Sequence, residues 1–248
     1  MKFLCRIFLV FFTCTLSYGQ VVTRDEGRLF IGSNFNFYEN IKISNTLFST
    51  DDKKIIRYAD IDGSPYIDNH SAFGKIYDAN FNFLGTAYVR YNAYTDDIEI
   101  AIDTNGVDYY LVKKKPNFLY FELNGQTYRA FEYFDGSIKT VGYFSILNGK
   151  DQDKCTILKK EKVIFKDEKK PENSFLTATP PKFIRQKDKF FIKIENQILE
   201  IPKRNKDLLN LFTEKRKEVE AYIISNKIKT DDENGLIELL TYYNSLFK

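Results

Sequence analysis

The sequence predicts a mainly β (α+β) protein. An antiparallel β-meander, arranged as a sandwich or an open barrel, carries a short helical appendage at its C-terminal end. Three observations support this prediction. Apolar and polar residues alternate with period two across residues 73–165, as in strands that bury one face. Dipeptides that favour tight turns separate these runs. Apolar residues recur at helical spacing only after residue 205.

Composition narrows the class of function. The chain has 248 residues, of which 37 are Lys or Arg and 34 are Asp or Glu, so the formal net charge is only +3. This balance argues against a nucleic-acid partner. One His and three Cys are too few for a zinc site built from these residues, and the sequence has no glycine-rich phosphate loop. We therefore expect no metal or other cofactor.

Residues 1–19 are predicted to be a cleaved secretory signal peptide. Two positive charges precede an apolar run from Ile7 to Phe12, and small residues occupy the −3 and −1 positions before Gln20. The apolar run is too short for a bilayer, which takes about 20 residues, so no transmembrane span is expected in the mature chain. The protein is predicted to be exported to the periplasm, the outer membrane or the medium.

The cysteines bear on the same prediction. A lipid anchor at Cys14 is the alternative to cleavage before Gln20, but bulky residues precede this cysteine where a lipoprotein signal requires small ones. Cleavage leaves Cys155 as the single cysteine, so an intrachain disulfide is not expected to hold the fold together. Cys155 lies in a strand-like run, and we interpret it as a small buried apolar side chain.

The predicted elements follow in order along the mature chain. Residues 20–72 form an N-terminal segment of irregular structure and short strands, and the turn at residues 62–66 leads into the regular meander. The meander of residues 73–165 comes next. Its Asn124-Gly125 dipeptide tolerates positive φ at both positions and predicts a two-residue turn, with Phe121 facing Tyr128. Similar turn dipeptides occur at Asn105-Gly106, Asp135-Gly136 and Asn148-Gly149.

The C-terminal third begins with a break. Residues 166–181 hold three of the six prolines and a cluster of charges, which predicts a linker. Residues 182–248 are predicted to form a hairpin that turns at Asn196-Gln197, then two or three short helices. Asn205 is the predicted cap of the first helix, and residues 230–233 are typical of a capping box.

The last predicted helix is amphipathic. Its apolar stripe is expected to dock on the protein's own sheet, because a short isolated helix is marginally stable in water. The alternative is that the stripe serves as a binding face for a partner. The stripe consists of Leu236, Leu239, Leu240, Tyr243 and Phe247.

The search for catalytic and metal-binding motifs assigns no residue. His70 is the single histidine, it lies in a polar stretch, and no Gly-x-Ser-x-Gly motif accompanies it, so a solvated loop is the preferred interpretation. Residues 60–63 resemble the start of a calcium loop, but the remainder of the EF-hand pattern is absent. No catalytic residue and no metal ligand is therefore predicted, and the binding residues are left unassigned.

Basic residues cluster in three places: residues 113–115, 159–162 and 182–206. The last segment holds eight basic and three acidic residues. Lysines of this kind protect exposed strand edges from aggregation. The alternative is that they bind anionic lipid headgroups or an acidic polysaccharide.

The chain resembles a group of uncharacterised exported proteins of the Bacteroidota. The resemblance rests on Gln20 after the cleavage site and on residues 63–66, 206–209, 222–227 and 239–244. It covers roughly residues 60–248. It implies an exported protein with a β-meander followed by C-terminal helices, and it implies no activity.

Three hypotheses for the function follow. The first is a non-enzymatic cell-envelope protein that acts through contacts with a protein, such as an envelope or outer-membrane protein, or with a glycan. The second is a barrel-like module that binds a lipid or another apolar ligand. The third, an enzyme, is less favoured and would be a carbohydrate-active hydrolase that uses two carboxylates.

Overall fold

The structure is a computed structural model. It describes residues 30–31, 41–43, 47–49, 55–68, 72–101, 109–148, 154–169, 178–230 and 232–248. The predicted mainly antiparallel β fold with a short C-terminal helical appendage is confirmed. The predicted signal peptide with Cys14, the linker core 170–177, His70 and the turn at Asn105-Gly106 lie outside the described residues.

The described ranges contain sixteen strands and three α-helices. The strands are β1 Phe30–Ile31, β2 Ile41–Ile43, β3 Leu47–Ser49, β4 Ile55–Arg57, β5 Ala72–Tyr77, β6 Phe83–Asn92, β7 Asp97–Ala101, β8 Tyr109–Val112, β9 Tyr120–Leu123, β10 Gln126–Asp135, β11 Ile138–Ile146, β12 Cys155–Lys160, β13 Val163–Lys166, β14 Lys182–Arg185, β15 Lys189–Ile194 and β16 Gln197–Glu200. The helices are α1 Asn205–Leu208, α2 Arg216–Asn226 and α3 Glu233–Ser245.

One large sheet of 12 strands dominates the molecule and curls into a half-barrel. Its order is β16-β15-β12-β11-β10-β9-β5-β6-β7-β8-β2, with β1 beside β6. All its pairings are antiparallel. Strands β5 to β8 are neighbours in chain order, and so are β9 to β12. The chain crosses between these two meanders, because β9 pairs with β5 and not with β8.

Two-residue turns set the register of the hairpins. Phe121 pairs with Tyr128 as predicted, and Asn124 and Gly125 have φ values of 50° and 77°. The predicted turn at Asp135-Gly136 is wrong by one residue. Asp135 pairs with Ile138, so the turn consists of Gly136 and Ser137.

The last hairpin also turns one residue earlier than predicted. Ile194 pairs with Gln197, so the turn residues are Glu195 and Asn196 rather than Asn196 and Gln197. Glu195 takes φ 53°, a conformation that few residues other than glycine adopt readily. The sequence pattern misplaced this turn by one residue because no glycine marks its position.

Three apolar clusters form the core of the part of the chain that the structure describes. The largest covers one face of the strands from β5 to β11, and the hairpin β13–β14 packs Val163 and Phe183 against it. A second cluster joins β12 and β15 to the C-terminal helices. A third, on the opposite face of β10 and β11 from the first, consists of Phe131, Tyr133, Phe144, Leu158 and Phe191.

The helix starts differ from the predicted caps. Asp232 caps α3, since its Oδ1 accepts a hydrogen bond from the Gly235 amide at 2.8 Å. Thr230 is too far upstream to cap this helix and instead donates its hydroxyl to Asn205 Oδ1 at 2.5 Å. Asn205 is the first residue of α1 and not its cap.

The C-terminal helix docks on the chain's own sheet, as predicted. Leu236, Leu239, Leu240 and Tyr243 are buried in the cluster between α3 and β12, whereas Phe247 stays partly exposed. None of the helices in the described ranges is long and apolar enough to cross a membrane.

Polar contacts also fix α3 to the sheet. The Asn244 side chain accepts a hydrogen bond from the Cys155 amide at 3.0 Å and donates one to the Cys155 carbonyl at 2.8 Å. The asparagine thereby pairs with the backbone of β12 as a neighbouring strand would. Cys155 is fully buried, which agrees with its interpretation as a core side chain.

Candidate functional site

A cleft of about 520 Å³ lies between the turn after β6, the ends of β10 and β12, and the chain around the start of β15. Its volume falls within the range of about 300–1,000 Å³ that proteins use for small ligands. Charged side chains dominate its lining. The lining residues are Ala93, Tyr94, Asp96, Tyr133, Asp135, Lys160, Glu161, Lys162, Ile164, Gln186, Lys187, Lys189 and Phe191.

Asp96 is the centre of a network of polar contacts in the cleft. It ends the turn after β6 with φ 58°. Its carboxylate accepts hydrogen bonds from the Tyr91 hydroxyl at 2.7 Å and the Tyr143 amide at 3.2 Å. The ammonium groups of Lys160 and Lys114 lie 2.5 and 3.3 Å from its oxygens. Both carboxylate oxygens are therefore engaged.

Lys160 is the buried cation of this network. Its ammonium also donates to the Tyr143 carbonyl at 2.8 Å and lies 4.9 Å from the centre of the Phe144 ring. Burial lowers the pKa of Lys160, and the neighbouring Asp96 carboxylate opposes that shift. Gly142 makes room for the pair, because a Cβ at this position would lie 2.6 Å from the Lys160 Nζ and 3.0 Å from an Asp96 oxygen.

Glu161 is a second buried carboxylate of the cleft. It accepts hydrogen bonds from the Tyr128 hydroxyl at 2.8 Å and from Arg185 at 2.9 Å, one on each oxygen. Burial, reinforced by the nearby carboxylates, raises the pKa of both Tyr91 and Tyr128 well above the usual value. These tyrosines therefore stay protonated and act as hydrogen-bond donors to the carboxylates.

Two exposed lysines at the rim of the cleft have no carboxylate partner among the described residues. Lys162 and Lys187 make no ion pair with any described residue, whereas Lys189 pairs with Glu200 at 3.2 Å. The Gln186 amide donates to the Lys162 carbonyl at 2.9 Å, which brings Lys187 close to Lys162. The cleft thus carries two exposed positive charges from neighbouring segments of the chain, and such charges attract an anion.

A second cleft of about 460 Å³ shares Lys187 and Lys189 with the first. Phe190 lines it, whereas Phe191, its neighbour on β15, lines the first cleft. Because successive side chains of a strand point to opposite faces, the two clefts lie on opposite sides of β15. Lys203 adds a further positive charge to the second cleft.

The structure brings together residues from the three basic clusters seen in the sequence. Lys114 and Lys160 meet at Asp96, and Lys187 and Lys189 line the same cleft. Sequence reasoning missed Asp96, since the spacing between it and Lys160 gives no local signal. The isolated Gly142 within a strand pattern was the available signal, because such a glycine marks a close approach of another group.

The other residues considered from the sequence lie apart from this cleft. Cys155 is buried beneath α3. Gly63 takes φ 80°, and the backbone of Asp62 bonds to Phe183 in β14, so this segment forms a turn against the β13–β14 hairpin. Among the described residues, no three His, Cys, Asp or Glu side chains are grouped so that they could hold a metal ion.

Comparison of the chain with protein-family models, curated proteins and solved structures finds no significant match.

Removal of the Asp96 carboxylate tests the network. The variant Asp96→Ala is expected to lower the free energy of unfolding by about 2–4 kcal/mol, because it leaves the buried Lys160 ammonium without its counter-charge. Urea denaturation followed by circular dichroism measures the change. The control is Glu132→Ala, which breaks an exposed ion pair with Lys139 and is expected to cost about 0.5 kcal/mol or less. Equal losses in the two variants would contradict a structural role for the buried network.

Proposed function

We propose that this is a non-enzymatic protein of the cell envelope whose lysine-lined cleft binds the acidic groups of a glycan. The observation that carries the proposal is that Lys162 and Lys187, two exposed lysines without an ion pair to a described residue, both line a cleft of ligand size. A bound carboxylate, sulfate or phosphate would supply a negative charge that attracts both of these ammonium groups. The predicted signal peptide supports a location where glycans are present.

The floor of the cleft supports binding rather than catalysis. A general acid or base needs a carboxyl group that can exchange a proton with the substrate. The oxygens of Asp96 and Glu161 are all engaged by tyrosine, lysine or arginine donors. A glycosidase mechanism with two carboxylates therefore has less support here than a preorganised binding site. The half-buried ring of Tyr94 in the lining offers an apolar surface for a sugar.

A module for an apolar ligand also has less support. The face of the sheet that would hold such a ligand carries tightly packed side chains, among them Val89, Ile98, Ile100 and Phe121, each fully buried. An apolar molecule could enter only by displacing these side chains, at the cost of their packing.

Oligogalacturonate, a soluble carboxylated oligosaccharide, tests the proposal, with neutral dextran as the comparison. The mature protein is expected to bind oligogalacturonate in isothermal titration calorimetry and to lose affinity as the salt concentration rises. The double variant Lys162→Glu/Lys187→Glu is expected to bind at least about tenfold more weakly, which corresponds to about 1.4 kcal/mol.

The matched control is Lys217→Glu on α2, an exposed lysine that makes no ion pair with a described residue and lines neither cleft. It makes the same charge change as each of the two rim substitutions taken singly and is expected to leave the affinity unaltered. The proposal is overturned if the wild type binds dextran as tightly as oligogalacturonate, or if the control weakens binding as much as the rim variant.

A further inference from the structure

The hairpin of β10 and β11 extends beyond its neighbours. Its ladder runs through nine residue pairs, from Thr127 opposite Ile146 to Asp135 opposite Ile138. Strand β9 pairs with β10 only up to Arg129, and β12 pairs with β11 only at Ser145 and Ile146. Within the described part of the chain, no neighbouring strand forms a ladder with the end of the hairpin, residues 132–141, although Tyr133 packs against Phe191 of β15. We call these residues the arm.

The tip of the arm exposes two large apolar side chains. Phe134 is 58% exposed and Ile138 is 70% exposed, on either side of the Gly136-Ser137 turn. Polar residues usually occupy such a tip, since exposed apolar surface costs free energy in water. Phe134 faces Lys139 across the ladder, whereas Ile138 faces Asp135.

The two apolar side chains point to opposite faces of the arm. Cross-strand partners share a face of a hairpin and successive residues alternate between faces, so Ile138 lies on the face of Asp135 and Phe134 on the other. A partner that docks against one face would cover only one of them. If the tip of the arm enters an apolar environment end-on, both Phe134 and Ile138 are buried.

The arm is continuous with the lysine-lined cleft. Asp135 and Tyr133 both belong to the arm and both line the cleft. Lys162 and Lys187 lie at the rim of that cleft. Lysines near an anionic bilayer are attracted to its surface, and adjacent apolar side chains enter the boundary between headgroups and acyl chains. Apolar tip and basic rim together match the surface of an anionic membrane.

We propose that the arm inserts its tip, Phe134 and Ile138, into an anionic lipid bilayer and brings the cleft to the level of the headgroups. This inference deepens the proposed function and rests on it: the acidic glycan would be one carried by a membrane lipid rather than a free polysaccharide.

Vesicle flotation tests the inference. The probes are vesicles of phosphatidylcholine alone and vesicles of phosphatidylcholine with phosphatidylglycerol. Wild-type protein is expected to float with the anionic vesicles and not with the neutral ones. The arm variant Phe134→Ser/Ile138→Ser is expected to lose at least tenfold in vesicle affinity and to retain the wild-type affinity for oligogalacturonate. Both side chains are exposed, so the variant is expected to fold.

The matched control removes equally exposed apolar side chains elsewhere. Phe73 on β5 is 52% exposed and Ile224 on α2 is 71% exposed. The variant Phe73→Ser/Ile224→Ser is expected to float like the wild type. Equal losses in the arm and control variants overturn the inference, because general surface hydrophobicity would then account for binding.

The remaining outcomes separate the two proposals. Binding of oligogalacturonate without binding of anionic vesicles overturns the membrane inference and leaves the proposed glycan function intact. Arm-dependent vesicle binding without binding of oligogalacturonate supports insertion of the arm and overturns the glycan function.

Discussion

Raising the pH from 10 to 12 is expected to unfold the protein cooperatively. Burial raises the pKa of Tyr91, Tyr128 and Tyr143 well above their usual value, and burial also raises the pKa of Tyr133 and Tyr243 to about 12. In the unfolded chain these hydroxyls ionise near pH 10. The folded state therefore retains protons that the unfolded state loses, and stability falls as the pH rises above 10.

The expected effect is large. Each buried tyrosine that stays protonated contributes about 1.4 kcal/mol of lost stability per pH unit above its unfolded pKa. Tyr91, Tyr128 and Tyr143 together give about 4 kcal/mol per pH unit, against a total stability of about 5–15 kcal/mol for ordinary proteins. Lys160 acts in the opposite direction, because burial lowers its pKa and stability rises with pH through the window below 10.5. One lysine does not offset three tyrosines.

Ultraviolet absorbance of the phenolate group and circular dichroism together measure this transition. The chain has 17 Tyr and no Trp, so the phenolate signal is free of indole absorbance. The ionisation of the buried tyrosines is expected to coincide with the loss of β structure. In Tyr143→Phe one titrating group is removed, and the loss of stability is expected to be shallower by about 1.4 kcal/mol per pH unit. Full ionisation near pH 10 with unchanged circular dichroism would contradict the prediction.

Replacement of Leu240 by alanine is expected to lower the free energy of unfolding by about 2–5 kcal/mol. Leu240 lies on α3, is 1% exposed and belongs to the apolar cluster that joins α3 to β12. Burial of a leucine side chain contributes about 1.5–3 kcal/mol, and the cavity left by the truncation adds to the loss because the surrounding side chains relax only in part.

Urea denaturation of the monomer measures the effect, with Thr241→Ala as the matched control. Thr241 is the next residue of the same helix and is exposed, so its replacement is expected to change stability by about 0.5 kcal/mol or less. If α3 were held in place only by a partner, Leu240→Ala would leave the unfolding midpoint of the monomer unchanged.

Much of the fold could be predicted because local patterns determine it. The period-two alternation located β6, β7 and β9 within the predicted meander, and Asn124-Gly125 fixed the pairing of Phe121 with Tyr128. The pairing of β9 with β5 could not be predicted in this way. β5 and β8 are both apolar strands that could pair with β9. The choice of β5 as the partner depends on packing between residues that are far apart in the sequence.

The cleft was only partly foreseeable, for a similar reason. The basic clusters are visible in the sequence, but their convergence follows from the register of β12 with β15, which places Lys160 opposite Lys189. Asp96 balances Lys160 across 64 positions of the chain. Two charged residues so far apart in the sequence meet only when the sheet has formed, so no local sequence pattern predicts the pair.

The position of β5 in the sheet has a consequence for the order in which the molecule assembles. As the chain is synthesised, β6 to β8 can pair beside β5 as soon as they emerge, by local hairpins that close quickly. The second edge of β5 stays bare until β9, residues 120–123, becomes available. During this interval it presents free backbone groups that could recruit another chain. Lys75 faces this edge and later pairs with Glu122 at 3.0 Å. The charge of Lys75 disfavours pairing of this edge with another chain before β9 is available. Glu122 of β9 then forms the ion pair with Lys75 that favours the native pairing.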